Sequence, residues 1–205
     1  MGSWYNGRRV KQELLRIEAI AADLHAGARS EEGLAHLEAL GPKTFTPADL
    51  FVEILTLYRK ALDMSRQLGD RAAEAEVLYN LGRLYQDPPR ESLFLQGKMT
   101  DAEFLTAFDT RIGAVHHNTS EDQRQALSYY HQALRLAREE NRVIIEASCL
   151  VNIAVAHRHL GEWAQHLQYV EEAEPVVDRV GNPMCRLMRE ALADEKRFHA
   201  EGRGS

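Results

Sequence analysis

The stretch LTLYRKALDMSRQLGDRAAEAEVLYNLG, Leu55 to Gly82, is written a second time without gaps as LSYYHQALRLAREENRVIIEASCLVNIA, Leu127 to Ala154. Nine aligned positions carry the same residue: Leu55/Leu127, Tyr58/Tyr130, Ala61/Ala133, Leu62/Leu134, Arg66/Arg138, Glu74/Glu146, Ala75/Ala147, Leu78/Leu150 and Asn80/Asn152. Each copy reads as a helix, a short polar turn (Gly69-Asp70 in one, Glu140-Asn141 in the other) and a second helix. Apolar and small residues recur at three- and four-residue spacing in both. A helical hairpin used more than once implies units that stack, because no single hairpin buries its own apolar face.

The pattern extends on both sides. Leu78-x-x-Leu81-Gly82-x-x-Tyr85 and Ala126-x-x-x-Tyr130 with Ala133 are followed by Leu150-x-x-Ile153-Ala154-x-x-His157, then Gly161, Tyr169 and Ala173. This run resembles the tetratricopeptide repeat, in a longer-repeat variant, with Leu78 where that signature prefers Trp. The resemblance covers most of 46–180. It implies an all-α chain: a right-handed superhelical solenoid of antiparallel helix hairpins, about three repeats, with an insertion in the second. Gly82, Ala133, Ala154 and Ala173 are small where paired helices approach, and a larger side chain would wedge them apart.

Ahead of the repeats, residues 1–45 read as lead-in helices and a degenerate first hairpin element. Val10, Leu14, Leu15, Ile17, Ala21 and Leu24 make an apolar stripe of helical period from about Arg8 to His25, and Gly27 follows as a stop. Ser30-Glu31-Glu32 caps a shorter helix bearing Leu34, Leu37 and Leu40, which Gly41-Pro42 ends. Thr46-Pro47-Ala48-Asp49 places an N-cap, a proline at the first helical position and an acid in the first turn, so a long helix starts there and runs to Leu68. The next helix spans Arg71 to about Tyr85.

Tyr85 and Ala133 stand 48 positions apart, whereas the corresponding His157 and Ala173 stand 16 apart. The excess is an insertion at about 86–120, opened by Asp87-Pro88-Pro89, with Thr100-Asp101-Ala102-Glu103 as a capping box for a short helix. Phe104, Leu105 and Phe108 give it an apolar cluster, which is expected to pack on the scaffold and to regulate access to it or add a contact. Asn118-Thr119-Ser120 matches a glycosylation sequon but is read as a turn. Residues 181–205 form a capping helix and tail, with Leu187, Met188 and Leu192 on its apolar side.

At 205 residues, 44% of them hydrophobic, the chain can bury a continuous core. Its 25 basic residues against 31 acidic ones give a net charge of −6, which argues against a general nucleic-acid binder, since phosphate affinity comes from clustered Lys and Arg. No apolar run approaches the roughly 18 residues of a membrane span. Arg8, Arg9 and Lys11 precede a mixed helix rather than an apolar block, and the opening Met-Gly lacks Ser or Thr at position six, so neither a signal peptide nor myristoylation is expected. Cys149 and Cys185 are the only cysteines; Cys149 should pack as a small apolar residue, and a reducing cytoplasm is the expected location.

For chemistry, the sequence offers little. Nine histidines, among them His116, His117, His157, His159 and His166, fit no zinc spacing, and no phosphate loop, nucleophile elbow or HExxH string occurs. No enzyme, metal or cofactor is therefore expected. The repeat resemblance instead implies a peptide-binding groove lined by first helices, with Asn80 and Asn152 one position before the Leu-Gly pair and its counterpart. Glu76 and Arg83 flank the first, Ser148 and Val155 the second. An amide donates and accepts at once, which suits a peptide backbone. The bland alternative is that both are merely tolerated polar residues. The expectation is a protein-interaction module binding a partner peptide or helix, with no nucleic acid or membrane as partner and a homodimer left open. The alternative is a ligand-responsive sensor domain gated by the insertion.

Overall fold

The computed structural model describes residues 2–27, 30–40, 44–89, 93–94 and 119–180, with Ala193 and Arg197, and side chains from Gly7 onward except those of Thr44, Leu93 and Phe94. Among these residues the chain is all-helical apart from one two-residue bridge. The helices are α1 (Gly2–His25), α2 (Glu31–Leu40), α3 (Pro47–Leu68), α4 (Arg71–Gln86), α5 (Ser120–Glu139), α6 (Val143–His159) and α7 (Trp163–Arg179). Residues 100–118 and the Leu187, Met188 and Leu192 face lie outside the description, and with them Phe104, Leu105, Phe108 and Cys185. No described helix is long and apolar enough to cross a membrane.

The starts of the helices follow from local chemistry. Thr46 and Asp49 cap α3 reciprocally: the Asp49 N–H donates to Thr46 Oγ1 (3.1 Å) and the Thr46 N–H to Asp49 Oδ2 (2.8 Å). The same arrangement opens α5, where Thr119 Oγ1 accepts from the Asp122 N–H and the Asp122 carboxylate from the Thr119 N–H. The sequon threonine is thus a helix cap. Ser30 Oγ accepts from the Gly33 N–H (3.0 Å) at α2, and Asp70 Oδ1 from the Ala73 N–H (3.1 Å) at α4. The turns agree between the two copies as well: Gly69 (φ +65°) and its counterpart Asn141 (φ +54°) both adopt the left-handed conformation in which a helix is left.

The chain divides into two compact units, one drawn from Met1–Leu68 and Asp87–Asn118, the other from Gly69–Gln86 and Thr119–Ser205. The boundary therefore falls inside the first copy of the repeated stretch, between α3 and α4. In the first unit α1 packs chiefly on α3. Leu14, Ile17, Ile20, Ala21 and Leu24 are buried on α1, as are Leu50, Ile54, Leu57, Tyr58 and Ala61 on α3. Leu15, expected in the buried stripe, is 58% exposed; Ile20 is buried in its stead, because the stripe follows the 14, 17, 21, 24 spacing and Leu15 lies beside it. His36 of α2 meets Glu53 of α3 (2.8 Å). The opening of the insertion belongs to this unit: Asp87 accepts from His25 Nε2 (2.8 Å), Pro88 is buried, and Leu93–Phe94 pairs antiparallel with Thr44–Phe45.

In the second unit α4 and α5 pack antiparallel despite the residues inserted between them, and α6 and α7 form a second antiparallel pair. The corresponding helices lie side by side and run parallel, α4 with α6 (Gln86 to Asn152, Arg142 to Glu76) and α5 with α7 (His131 to Tyr169, Arg138 to Glu172). α6 contacts all three neighbours and accordingly buries well over half of its circumference, through Ile145, Ala147, Ser148, Cys149, Leu150, Ile153, Ala154, Ala156 and His157, while Ile144, Val151, Asn152, Val155 and His159 keep an outer face. Gly82 sits directly against the Tyr130 ring, where an added Cβ would lie 2.5 Å from Cε1. The copied identities are explained here: Tyr130, Ala133, Leu134, Ala147 and Leu150 are core residues, and Arg138 pairs with Glu146 across the α5–α6 turn (3.1 Å).

Candidate functional site

Burial of Ala75, Val77, Leu78, Leu81, Gly82 and Leu84 on α4 leaves Glu76, Asn80 and Arg83 on its outer side, with Tyr79 and Gln86 turned toward α6. On α6 the partly exposed positions nearest this side are Val151, Asn152 and Val155. The six residues expected to line a groove therefore belong to one compact unit and to two parallel helices, but they are not alike. Glu76 and Arg83 are exposed; Asn80, Asn152 and Val155 are partly exposed; Ser148, at 8% exposure, lies beneath Asn152 rather than on the surface.

The two asparagines, equivalent by sequence, have different surroundings. Asn152 Nδ2 donates to the Ser148 carbonyl (2.9 Å) and reaches the Tyr79 hydroxyl at 3.5 Å, while the Asn152 backbone carbonyl accepts from Gln86 Nε2 (3.0 Å). Gln86 Oε1 in turn accepts from the Tyr130 hydroxyl (2.7 Å). A polar chain thus links α5, α4 and α6 through Tyr130, Gln86, Asn152 and Tyr79. It fixes the Asn152 amide with its donors turned inward, so that its oxygen is the atom presented outward. Asn80 has no such tether: its carboxamide hydrogen-bonds no described residue. It keeps both donors and acceptor for an incoming group.

Tyr79 forms the floor between the helices. Its ring lies against Tyr130 (6.0 Å between centroids), and the Arg83 guanidinium stands over it at 6.0 Å, a cation–π geometry. Burial pushes the Tyr79 hydroxyl above the ordinary tyrosine range, opposed by the Arg83 charge and by hydrogen bonds from Ser148 and Asn152. Burial pushes the Cys149 thiol up strongly as well, so that it packs as an apolar residue and not as a nucleophile.

A second cluster, missed in the sequence reading, gathers on the other side of α6. His157 stacks on Tyr169 (5.4 Å, 10° between planes), His131 of α5 meets the same tyrosine (5.8 Å, 56°), and His157 Nδ1 lies 2.7 Å from Glu162 Oε2. The stack repeats the Tyr85–Tyr129 stack of the preceding pair (5.7 Å, 27°) at equivalent positions. The signal was present in the alignment of His157 with Tyr85. His166 is fully buried, with Nδ1 donating to the Ala154 carbonyl (2.9 Å). Among the described residues no three His, Cys, Asp or Glu side chains are grouped as metal ligands, and His116 and His117 lie outside them.

No protein-family model matches the chain. No curated protein matches its sequence.

Proposed function

We propose that the second unit is a protein-interaction module of the tetratricopeptide kind, which takes an extended peptide or a helix of a partner along the outer sides of α4 and α6. The observation that carries this reading is the placement of Asn80 and Asn152 at equivalent, partly exposed positions of two parallel helices in one unit. Support comes from the character of that surface. Asn80 offers an untethered amide, Arg83 a cation held over an aromatic ring, Asn152 an oriented acceptor and Val155 an apolar contact, a mixture suited to a peptide backbone with varied side chains. Solubility and a cytoplasmic setting belong to the same reading, as does the superhelical stacking of the hairpins. The sensor alternative rests on Phe104, Leu105 and Phe108, which lie outside the described residues, and is not carried further.

The test is selection of peptides from a random displayed library on the folded chain, followed by titration of the selected peptides against Asn80→Ala, Asn152→Ala and the double variant. A hydrogen bond contributes about 0.5–1.5 kcal/mol, so loss of both amides should weaken binding by roughly tenfold or more. Asn80→Ala should do so without altering stability, whereas Asn152→Ala also releases Tyr79 and should cost some. Failure to select any peptide, or wild-type affinity in the double variant, refutes the assignment.

A further inference from the structure

The first helix pair of the second unit is closed by a stack of two tyrosines, Tyr85 on Tyr129, which carry no charge at any pH near neutrality. The second pair is closed at equivalent positions by His157 on Tyr169, and His131 adds a second imidazole to the same ring. Histidine is the side chain that changes charge between about pH 5 and 8. His157 is 8% exposed, lies flat on the Tyr169 ring and has its Nδ1 2.7 Å from the Glu162 carboxylate. His131 shares the tyrosine with His157, so a proton on each places two like charges about one ring.

The neighbouring charges do not relieve this. On α7, Glu172 is the carboxylate whose charge acts on His131, but it is held in an ion pair by Arg138 of α5, which also binds Glu146 of α6 (3.1 Å). Glu146 is itself bridged to Arg179 of α7 (3.1 Å). Arg135, one turn beyond His131 on α5, pairs with Glu139 (3.6 Å), and Arg158 follows His157 on α6. Of the facing carboxylates, Glu162 serves His157 and Glu172 serves Arg138. Much of the His131 side chain meets solvent, yet the hydration it loses on the protein side first, and the His157 charge second, hold its imidazolium below the ordinary histidine range, with Glu172 opposing.

We propose that the His131–Tyr169–His157 stack is an acid-operated latch, which holds α7 against α5 and α6 while the His131 imidazole is neutral and releases it when His131 takes up a proton. Because the folded state disfavours the His131 proton, the stabilisation is complete above about pH 6.5, the ordinary histidine value, and is lost as pH falls through the depressed value of the folded protein. His159, also depressed by burial and by Arg158, adds an acid sensitivity of its own. The test must therefore address His131 by itself.

The imidazole resonances of the full chain are followed by NMR from pH 8 to 4.5, with amide exchange of α4 to α7 measured over the same range, in wild type, His131→Gln and His157→Tyr. His131 is on the exposed side of α5, so His131→Gln keeps the fold; His157→Tyr restores the stack seen at Tyr85–Tyr129. In wild type, α7 amides should lose protection as His131 titrates, before those of α4 do. His131→Gln should reduce that loss, and His157→Tyr should move the His131 titration upward. An unchanged α7 loss in His131→Gln, or an unmoved His131 titration in His157→Tyr, overturns the latch.

Discussion

Gly82→Ala is the sharpest probe of how α4 and α5 fit together. In an ordinary helix the change would stabilise by about 1 kcal/mol, because alanine is the better helix former. Here the new methyl would stand 2.5 Å from Tyr130 Cε1, 2.6 Å from Cδ1 and 3.0 Å from Cζ. Tyr130 is fully buried and its hydroxyl is tied to Gln86 (2.7 Å), so the ring cannot turn away without giving up that bond. Overpacking costs about 1–3 kcal/mol and a strained or broken hydrogen bond about 0.5–1.5 kcal/mol. Against the propensity gain the net is a destabilisation of about 2 kcal/mol. Urea unfolding followed by far-UV circular dichroism measures it, in wild type, Gly82→Ala, Tyr130→Ala and the double variant. If the ring is the cause, the Gly82→Ala penalty disappears or reverses in the Tyr130→Ala background, a coupling of neighbours that a double-mutant cycle isolates. A Gly82→Ala protein as stable as wild type, or a penalty that is the same in both backgrounds, would refute the close approach. Gly82→Leu, with three more carbons to place, should cost more still, and more than any exposed His→Ala change.

Alkaline pH should weaken the second unit. Burial raises the Cys149 thiol and the Tyr79 and Tyr169 hydroxyls, so the folded state holds protons that the unfolded chain gives up; stability is complete below about pH 8.5 and falls as pH rises through the cysteine and tyrosine ranges. Unfolding curves at pH 7 and 10 should differ in this direction, and Cys149→Ala should flatten the early part of the decline. Thr119→Ala removes the cap of α5 and should cost about 1 kcal/mol, visible as a lower urea midpoint with unchanged slope; an unchanged midpoint would mean that the α5 start is held by other contacts.

The sequence by itself determined the helices, because their signals are local. Period, caps and left-handed turn residues act within a few positions, and so Pro47–Leu68, Arg71–Gln86 and the turn at Asn141 could be read to within a residue or two. Gly82 was legible for the same reason, as a small residue in a repeated apolar frame. The reciprocal Thr119–Asp122 cap was also written in the chain, though read as a turn within a sequon. Only the tertiary structure decided what each face meets. Leu15 and Ile20 are equally apolar, and the packing of α1 on α3 alone exposes one and buries the other. Asn80 and Asn152 hold the same place in the repeat, yet Tyr79 and Gln86 of α4 reach across to α6 and tether only the second. Ser148 shares the helical stripe of Asn152 but falls inside the contact that α4 makes there. Periodicity assigns a residue to a side of its helix; which side chain from another helix arrives at that side depends on contacts between residues distant in sequence, and those no local pattern encodes.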